Sequence, residues 1–148
     1  MNAIENKFRE LSSKKHKAYL PYVCLGDPVE GFTLKLMKTL QESGADLVEA
    51  GIPFSDTLAD GQSIQSASDR AIKNGMNVEK ALALVANARS EGVAIPIIAM
   101  TYYNLVFHFG VERFASELKK AGGDGKAQSL LLNRWQLEAL SLTTLSWS

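Results

Sequence analysis

The chain has 148 residues, 46% hydrophobic and 22% charged, which is enough apolar material for one folded domain and too much for a disordered one. Lys+Arg and Asp+Glu each number 16, so the formal net charge is zero and the basic excess of a nucleic-acid binder is missing. The single Cys24 excludes an internal disulfide, the polar first seven residues lack the apolar segment of a signal peptide, and no apolar run approaches the ~20 residues of a membrane span, so a cytoplasmic protein is expected.

Ile4, Phe8 and Leu11 recur at helix spacing, and Lys14, Lys15 and Lys17 close that helix with cations. With His16 between them, these lysines read as a solvated helix end, not a nucleic-acid patch. Residues 18–25 form a short apolar run stopped by Gly26-Asp27-Pro28, a buried strand ending in a turn, although Pro21 cannot donate to a ladder. Phe32, Leu36, Met37 and Leu40 predict a second helix, with Gly44 as its C-cap. Residues 45–51 read as a second strand and residues 51–61 as a polar loop. A helix follows with Ile64, Ala67, Ala71 and Ile72 on one stripe, then Gly75. Another runs from about Val78 to Glu91 with Leu82, Val85 and Ala86 inward. Residues 95–102 are a third strand, and Val111, Phe114, Ala115 and Leu118 a further helix stopped by Gly122-Gly123. Strands alternating with helices of this length specify βαβ units, hence an α/β fold with a parallel sheet.

After Gly125 the rhythm changes. A fourth strand of branched apolar residues is expected, but the chain reads Lys126-Ala127-Gln128-Ser129-Leu130-Leu131. Residues 135–148 are rich in Leu, Ser and Thr, and both Trp135 and Trp147 lie there. Leu130, Leu131, Arg134, Leu137 and Leu140 allow a weak C-terminal helix. The reading preferred here is a foreign continuation, a frameshift product or an artificial junction, because composition and period change at one point.

The chemistry concentrates in residues 49–61. Glu49 lies near the C-terminal end of a parallel strand, where an ionisable group is expensive unless paired, and burial would raise its carboxyl towards the range useful for proton transfer. The following loop supplies Asp56 and Asp60, and two carboxylates in different environments can divide acid and base roles. The plainer alternative pairs Glu49 with a lysine and makes Asp60 a helix N-cap. His16 and His108 have no spacing partner, so no metal site is expected. Cys24 reads as a small buried residue.

Glu49-Ala50-Gly51-Ile52-Pro53-Phe54-Ser55-Asp56-Thr57-Leu58-Ala59-Asp60-Gly61, followed by Ser63-Ile64-Gln65, resembles the signature of tryptophan synthase α-subunits. Residues 21–28 match that family's first strand and turn, and Tyr102-Tyr103-Asn104-Leu105-Val106-Phe107 with Gly110 match its third strand and loop. Three ordered blocks over roughly residues 2–125 carry the resemblance. It implies a partial (β/α)₈ TIM barrel, its first three to four strand–helix units, over residues 1–125, with a non-matching tail over 126–148. It also implies a lyase of tryptophan biosynthesis that cleaves indole-3-glycerol phosphate to indole and glyceraldehyde 3-phosphate. By the resemblance, Glu49 is the general acid/base at indole C3 and Asp60 bonds the indole N–H. Tyr22, Tyr102 and Leu105 would line the indole pocket, although aromatics at strand ends usually serve core packing. Phe54, Ser55, Asp56 and Thr57 would face a partner β-subunit. That partner would carry pyridoxal phosphate, and this chain no cofactor of its own.

Departures from the family's pattern accompany the match. Tyr22 stands where Phe is more usual and Cys24 where Thr is usual. Thr57 and Gln62 replace prolines, which should loosen the loop holding Asp60. A full barrel takes about 250 residues and places its phosphate site after strands seven and eight. An inactive, truncated chain is therefore expected. The alternative is a non-catalytic fragment that self-associates through open sheet edges or binds a β-subunit. A different half-barrel phosphate-binding enzyme is disfavoured by the loop motif.

Overall fold

The computed structural model describes residues 3–57 and 60–129. The elements run α1 (Ala3–Ser13), β1 (Tyr22–Cys24), α2 (Glu30–Glu42), β2 (Val48–Gly51), α3 (Gln62–Lys73), α4 (Val78–Ser90), β3 (Ile97–Tyr102), α5 (Tyr103–Phe109), α6 (Val111–Lys120) and β4 (Gly125–Ser129). The strands form one parallel sheet in the order β1-β2-β3-β4, the consecutive order of a partial (β/α)₈ barrel. The proposed C-terminal helix, and both tryptophans, lie outside the described residues.

Successive residues of a strand point to opposite faces, and here the two faces differ. Val23, Val48, Ala50, Ile97 and Ala99 are buried in one core with Met37, Leu84, Val85, Phe114 and Leu118 from α2, α4 and α6. Their neighbours Tyr22, Glu49, Ile98 and Met100 are only half-buried. Among the described residues, helices cover one face, while the face that would line a barrel carries these half-buried side chains.

Gly44, Gly75 and Gly92 follow their helices with φ of +90°, +83° and +93°, the left-handed turn that lets the chain leave a helix without a Cβ clash. Asn77 caps α4 by accepting from Lys80 N at 2.9 Å. Several expectations need correction. Phe8 and Phe32 are 46% and 49% exposed, so only Leu11 of the first stripe is buried and Met37 with Thr33 anchors α2. Leu82 and Val85 of α4 are buried as expected, together with Val78, Ala81, Leu84 and Ala88, but Ala86 is exposed. Residues 103–109 form a helix, α5, where a loop was expected.

Gly125–Ser129 pairs with β3 despite its lack of branched residues, because the start of the strand is delivered by side chains. Arg89 at the end of α4 donates to the carbonyls of Gly122 (2.8 Å), Val93 (2.7 Å) and Ile95 (2.7 Å), and to the Asp124 carboxylate. Asp124 Oδ2 also accepts from Ile97 N at 2.9 Å, while Asp124 N donates to Ile97 O at 2.9 Å. Asp46 repeats the device two strands earlier, before β2, with Oδ2 accepting from Tyr19 N at 2.9 Å. Ile4 of α1 fills the space left by the missing side chain of Gly125, so α1 lies against the foot of the sheet.

Arg89→Met keeps the length and removes every donor. It leaves three carbonyls and a carboxylate short of partners, so urea denaturation should show a loss of about 2–3 kcal/mol, with the β4 amides exchanging first.

Candidate functional site

Parallel strands place their C-terminal ends, and the loops that follow, at one mouth. Register sets the row there: Tyr22 pairs with Glu49, and Glu49 with Ile98. Tyr22 and Glu49 are thus lateral neighbours on the half-buried face. Among the described residues Glu49 makes no side-chain hydrogen bond and no ion pair, so no lysine or arginine among them neutralises it.

The loop after β2 folds back over the mouth. Asp60 N donates to Thr57 O at 3.1 Å. Gln65, one turn into α3, donates from Nε2 to Asp60 O at 2.8 Å and to Thr57 O at 3.1 Å. The loosening expected from Thr57 and Gln62 is offset by this side-chain clamp. Asp60 is not the cap of α3; Gly61 holds that position and no side chain caps the helix. The Asp60 carboxylate instead receives the Tyr102 hydroxyl, 2.8 Å from Oδ2 across 42 residues of sequence. Tyr102 is buried, and the Phe54 ring lies 5.1 Å from its ring, centroid to centroid.

Tyr22, Thr57, Asp60, Ser68, Thr101 and Tyr102, with Ile52 and Met100, line a small cavity with a free volume of about 10 Å³. Burial pushes the Tyr22 hydroxyl above its ordinary range, with Cys24, Asp60 and Tyr102 adding to the effect. Burial likewise pushes the Cys24 thiol up to about 11, although the hydroxyls of Ser68 and Tyr22 hydrogen-bond its sulfur. Cys24 is therefore a protonated, inert thiol at neutral pH. Behind it the turn after β1 is fixed by a bidentate Arg70–Asp27 pair, at 2.7 and 2.9 Å, and by Gly26 N donating to Thr33 Oγ1 at 3.0 Å.

The expected site residues thus fall into three groups. Tyr22, Asp60 and Tyr102 meet at the cavity. Glu49 lies beside Tyr22 in the sheet register. Leu105 sits on α5, packed against the core and away from the cavity lining. Of the loop expected to face a partner, Ser55 and Asp56 are exposed and Phe54 is half-buried, but Thr57 is buried because the clamp draws it inward. Ser68 and Thr101 escaped sequence reasoning. Ser68 looks like any small residue on a helix, and Thr101 like any β-branched residue in a strand. Neither histidine is buried, and no cluster of metal-ligating side chains occurs among the described residues.

Comparison with known proteins bears on this geometry. The family model "Tryptophan synthase alpha chain" matches residues 8–127. The tryptophan synthase alpha chain of Dechloromonas aromatica is 44% identical over 125 residues, 84% of this chain and 47% of the relative. That of Shouchella clausii is 42% identical over 148 residues, 95% of this chain and 55% of the relative. Among solved structures, tryptophan synthase subunit alpha of Legionella pneumophila superposes with a TM-score of 0.82 at 37% identity, covering 85% of this chain and 48% of that one. Tryptophan synthase of Mycobacterium tuberculosis in its aminoacrylate-bound form gives 0.85 at 31% identity, covering 97% and 58%. The chain spans about half the length of the curated relatives it matches.

Gly51 has a steric reason. A Cβ there would lie 2.1 Å from the Tyr22 hydroxyl and 2.5 Å from two ring carbons, so the ring rests on the Gly51 backbone. Gly51→Ala should lower stability by about 1–3 kcal/mol in urea titration, the usual cost of overpacking. Combined with Tyr22→Leu it should cost less than the sum of the two single changes.

Proposed function

This chain belongs to the tryptophan synthase alpha-chain family, and we propose that its sheet carries the acid/base half of an indole-3-glycerol phosphate lyase site. The observation that carries the reading is the Tyr102–Asp60 hydrogen bond at the C-terminal mouth of the sheet. It fixes Oδ2 and leaves Oδ1 without a partner among the described residues, an acceptor suited to an indole N–H. Glu49, on β2 beside Tyr22 and without a side-chain partner among the described residues, is the group that delivers a proton to indole C3. As C3 is protonated the ring becomes cationic and the Asp60 carboxylate stabilises that charge; the bond from C3 to the glycerol phosphate chain then breaks with its electron pair returning to the ring, while the hydroxyl on the departing carbon gives its proton to the Glu49 carboxylate and becomes the aldehyde. Tyr22 and Tyr102 shape the wall beside Asp60, and Leu105, expected there, packs against the core instead.

On this reading the chain needs no cofactor of its own, acts in the cytoplasm, and presents Ser55 and Asp56 to a β-subunit that holds pyridoxal phosphate. Among the described residues no helix is long and apolar enough to cross a membrane. The four strands among the described residues do not close an eight-stranded barrel, and the phosphate subsite of such barrels forms after strands seven and eight. We therefore propose that the 148-residue chain alone gives no steady indole release, and that turnover requires the other half of the barrel. A second reading, a non-catalytic fragment that self-associates, is favoured by the half-buried face bearing Tyr22, Ile98 and Met100. Light scattering at micromolar concentration should show assemblies larger than one chain; a stable monomer would count against it.

The catalytic roles are testable once residues after Gly125 are replaced by a family continuation that closes the barrel. Glu49→Gln should lower kcat by about 10²–10⁴-fold with little change in KM. Asp60→Asn should also lose activity, since an amide carries no charge to stabilise the protonated ring. Near-normal turnover of the Gln variant would make Glu49 a structural residue.

A further inference from the structure

Thr101 is the penultimate residue of β3, just before the mouth; it is 2% exposed, and its Oγ1 has no hydrogen-bond partner among the described residues. A buried hydroxyl without a partner is costly, and in native structures such groups are nearly always satisfied. Thr101 lines the cavity beneath the β2–α3 loop together with Asp60, Ser68, Tyr22 and Tyr102. The free volume there, about 10 Å³, is near the least that holds a single water molecule. A water also needs two to four polar partners. This cavity offers hydroxyls that donate or accept and a carboxylate that accepts. An apolar occupant of that size would leave the Thr101 hydroxyl unsatisfied, an anion would be repelled by the Asp60 carboxylate, and no cluster of metal-ligating side chains stands among the described residues to hold a metal cation.

We propose that Thr101 is a positioning residue: its hydroxyl anchors one ordered water in this cavity, and the water holds the Asp60 carboxylate in the orientation that Tyr102 also enforces. Asp60 is then gripped from two sides, by the Tyr102 hydroxyl directly and by Thr101 through the water. Thr101 itself touches no substrate. The catalytic meaning of the grip rests on the reading of Asp60 as the indole N–H acceptor, but the water and its effect on Asp60 do not.

The test uses the 148-residue chain and two variants. Thr101→Val keeps the shape and removes the hydroxyl; Thr101→Ser keeps the hydroxyl. High-resolution crystal structures should show water within hydrogen-bonding distance of Oγ1 and of the Asp60 carboxylate in the parent and the Ser variant, and none in the Val variant. In solution, the Tyr102 hydroxyl proton should exchange with solvent at least roughly fivefold faster in the Val variant, the factor that one lost hydrogen bond is worth, and near the parent rate in the Ser variant. The urea midpoint should fall with Val and recover with Ser. A dry cavity in the parent overturns the proposal. So does a Val variant as stable as the parent or more so, with Tyr102 exchange unchanged, because removing an orphaned hydroxyl is neutral or favourable. If the Val variant does not fold, the parent and Ser structures still decide. Absence of lyase activity leaves these outcomes untouched, so the two readings fail separately.

Discussion

Parallel pairing in the register Tyr22–Glu49–Ile98 is the constraint on which the rest depends. Side chains alternate along a strand, so one choice of register sends Val48 and Ala50 under the helices and leaves Glu49 on the opposite face beside Tyr22. A slip of one residue would bury the carboxylate among Leu84, Val85 and Phe114 and expose the valine. The burial of the first set is what makes the placement of the second set unique. The acidic residue is thus positioned by its apolar neighbours.

Two kinds of polar clasp preserve that register. At the foot of the sheet, Asp46 accepts a backbone N–H from the segment before β1 and Asp124 one from the first residue of β3, and Arg89 ties the connections around Asp124 together. At the mouth, Gln65 holds the loop through two carbonyls and Tyr102 holds Asp60. The foot gives stability and the mouth carries the candidate chemistry, the division expected of βα barrels. Gly51 belongs to the mouth: its missing side chain is what allows a tyrosine at position 22 to lie flat over β2.

Much of this was legible in the sequence, and the failures have physical causes. Helices with strong stripes and glycine stops were readable because a period of 3.6 and a left-handed turn leave marks in composition, as around Met37 and Gly44. The seven residues of α5 were not, because they follow β3 directly, with no cap residue to announce a start. Phe8 and Phe32 misled because helix spacing tells which residues share a stripe, not whether a neighbour arrives to cover it. β4 was read too pessimistically: its pairing uses backbone groups and is set by Asp124 and Arg89, not by branched side chains of its own. Glu49 was readable from its place at a strand end. The bond between Tyr102 and Asp60, and the meeting of Thr101 with Ser68, join residues far apart in the chain and exist only once the sheet has formed.

The central proposal is that this sheet carries the acid/base half of a lyase site that the other strands of a barrel would complete. It is tested most directly by mixing the chain with a separately prepared C-terminal half of a relative's alpha chain and measuring indole release from indole-3-glycerol phosphate. The account predicts release that neither half gives alone and that saturates at one chain per half. A complex that forms by sedimentation, closes the sheet by hydrogen exchange, and still releases no indole would contradict it.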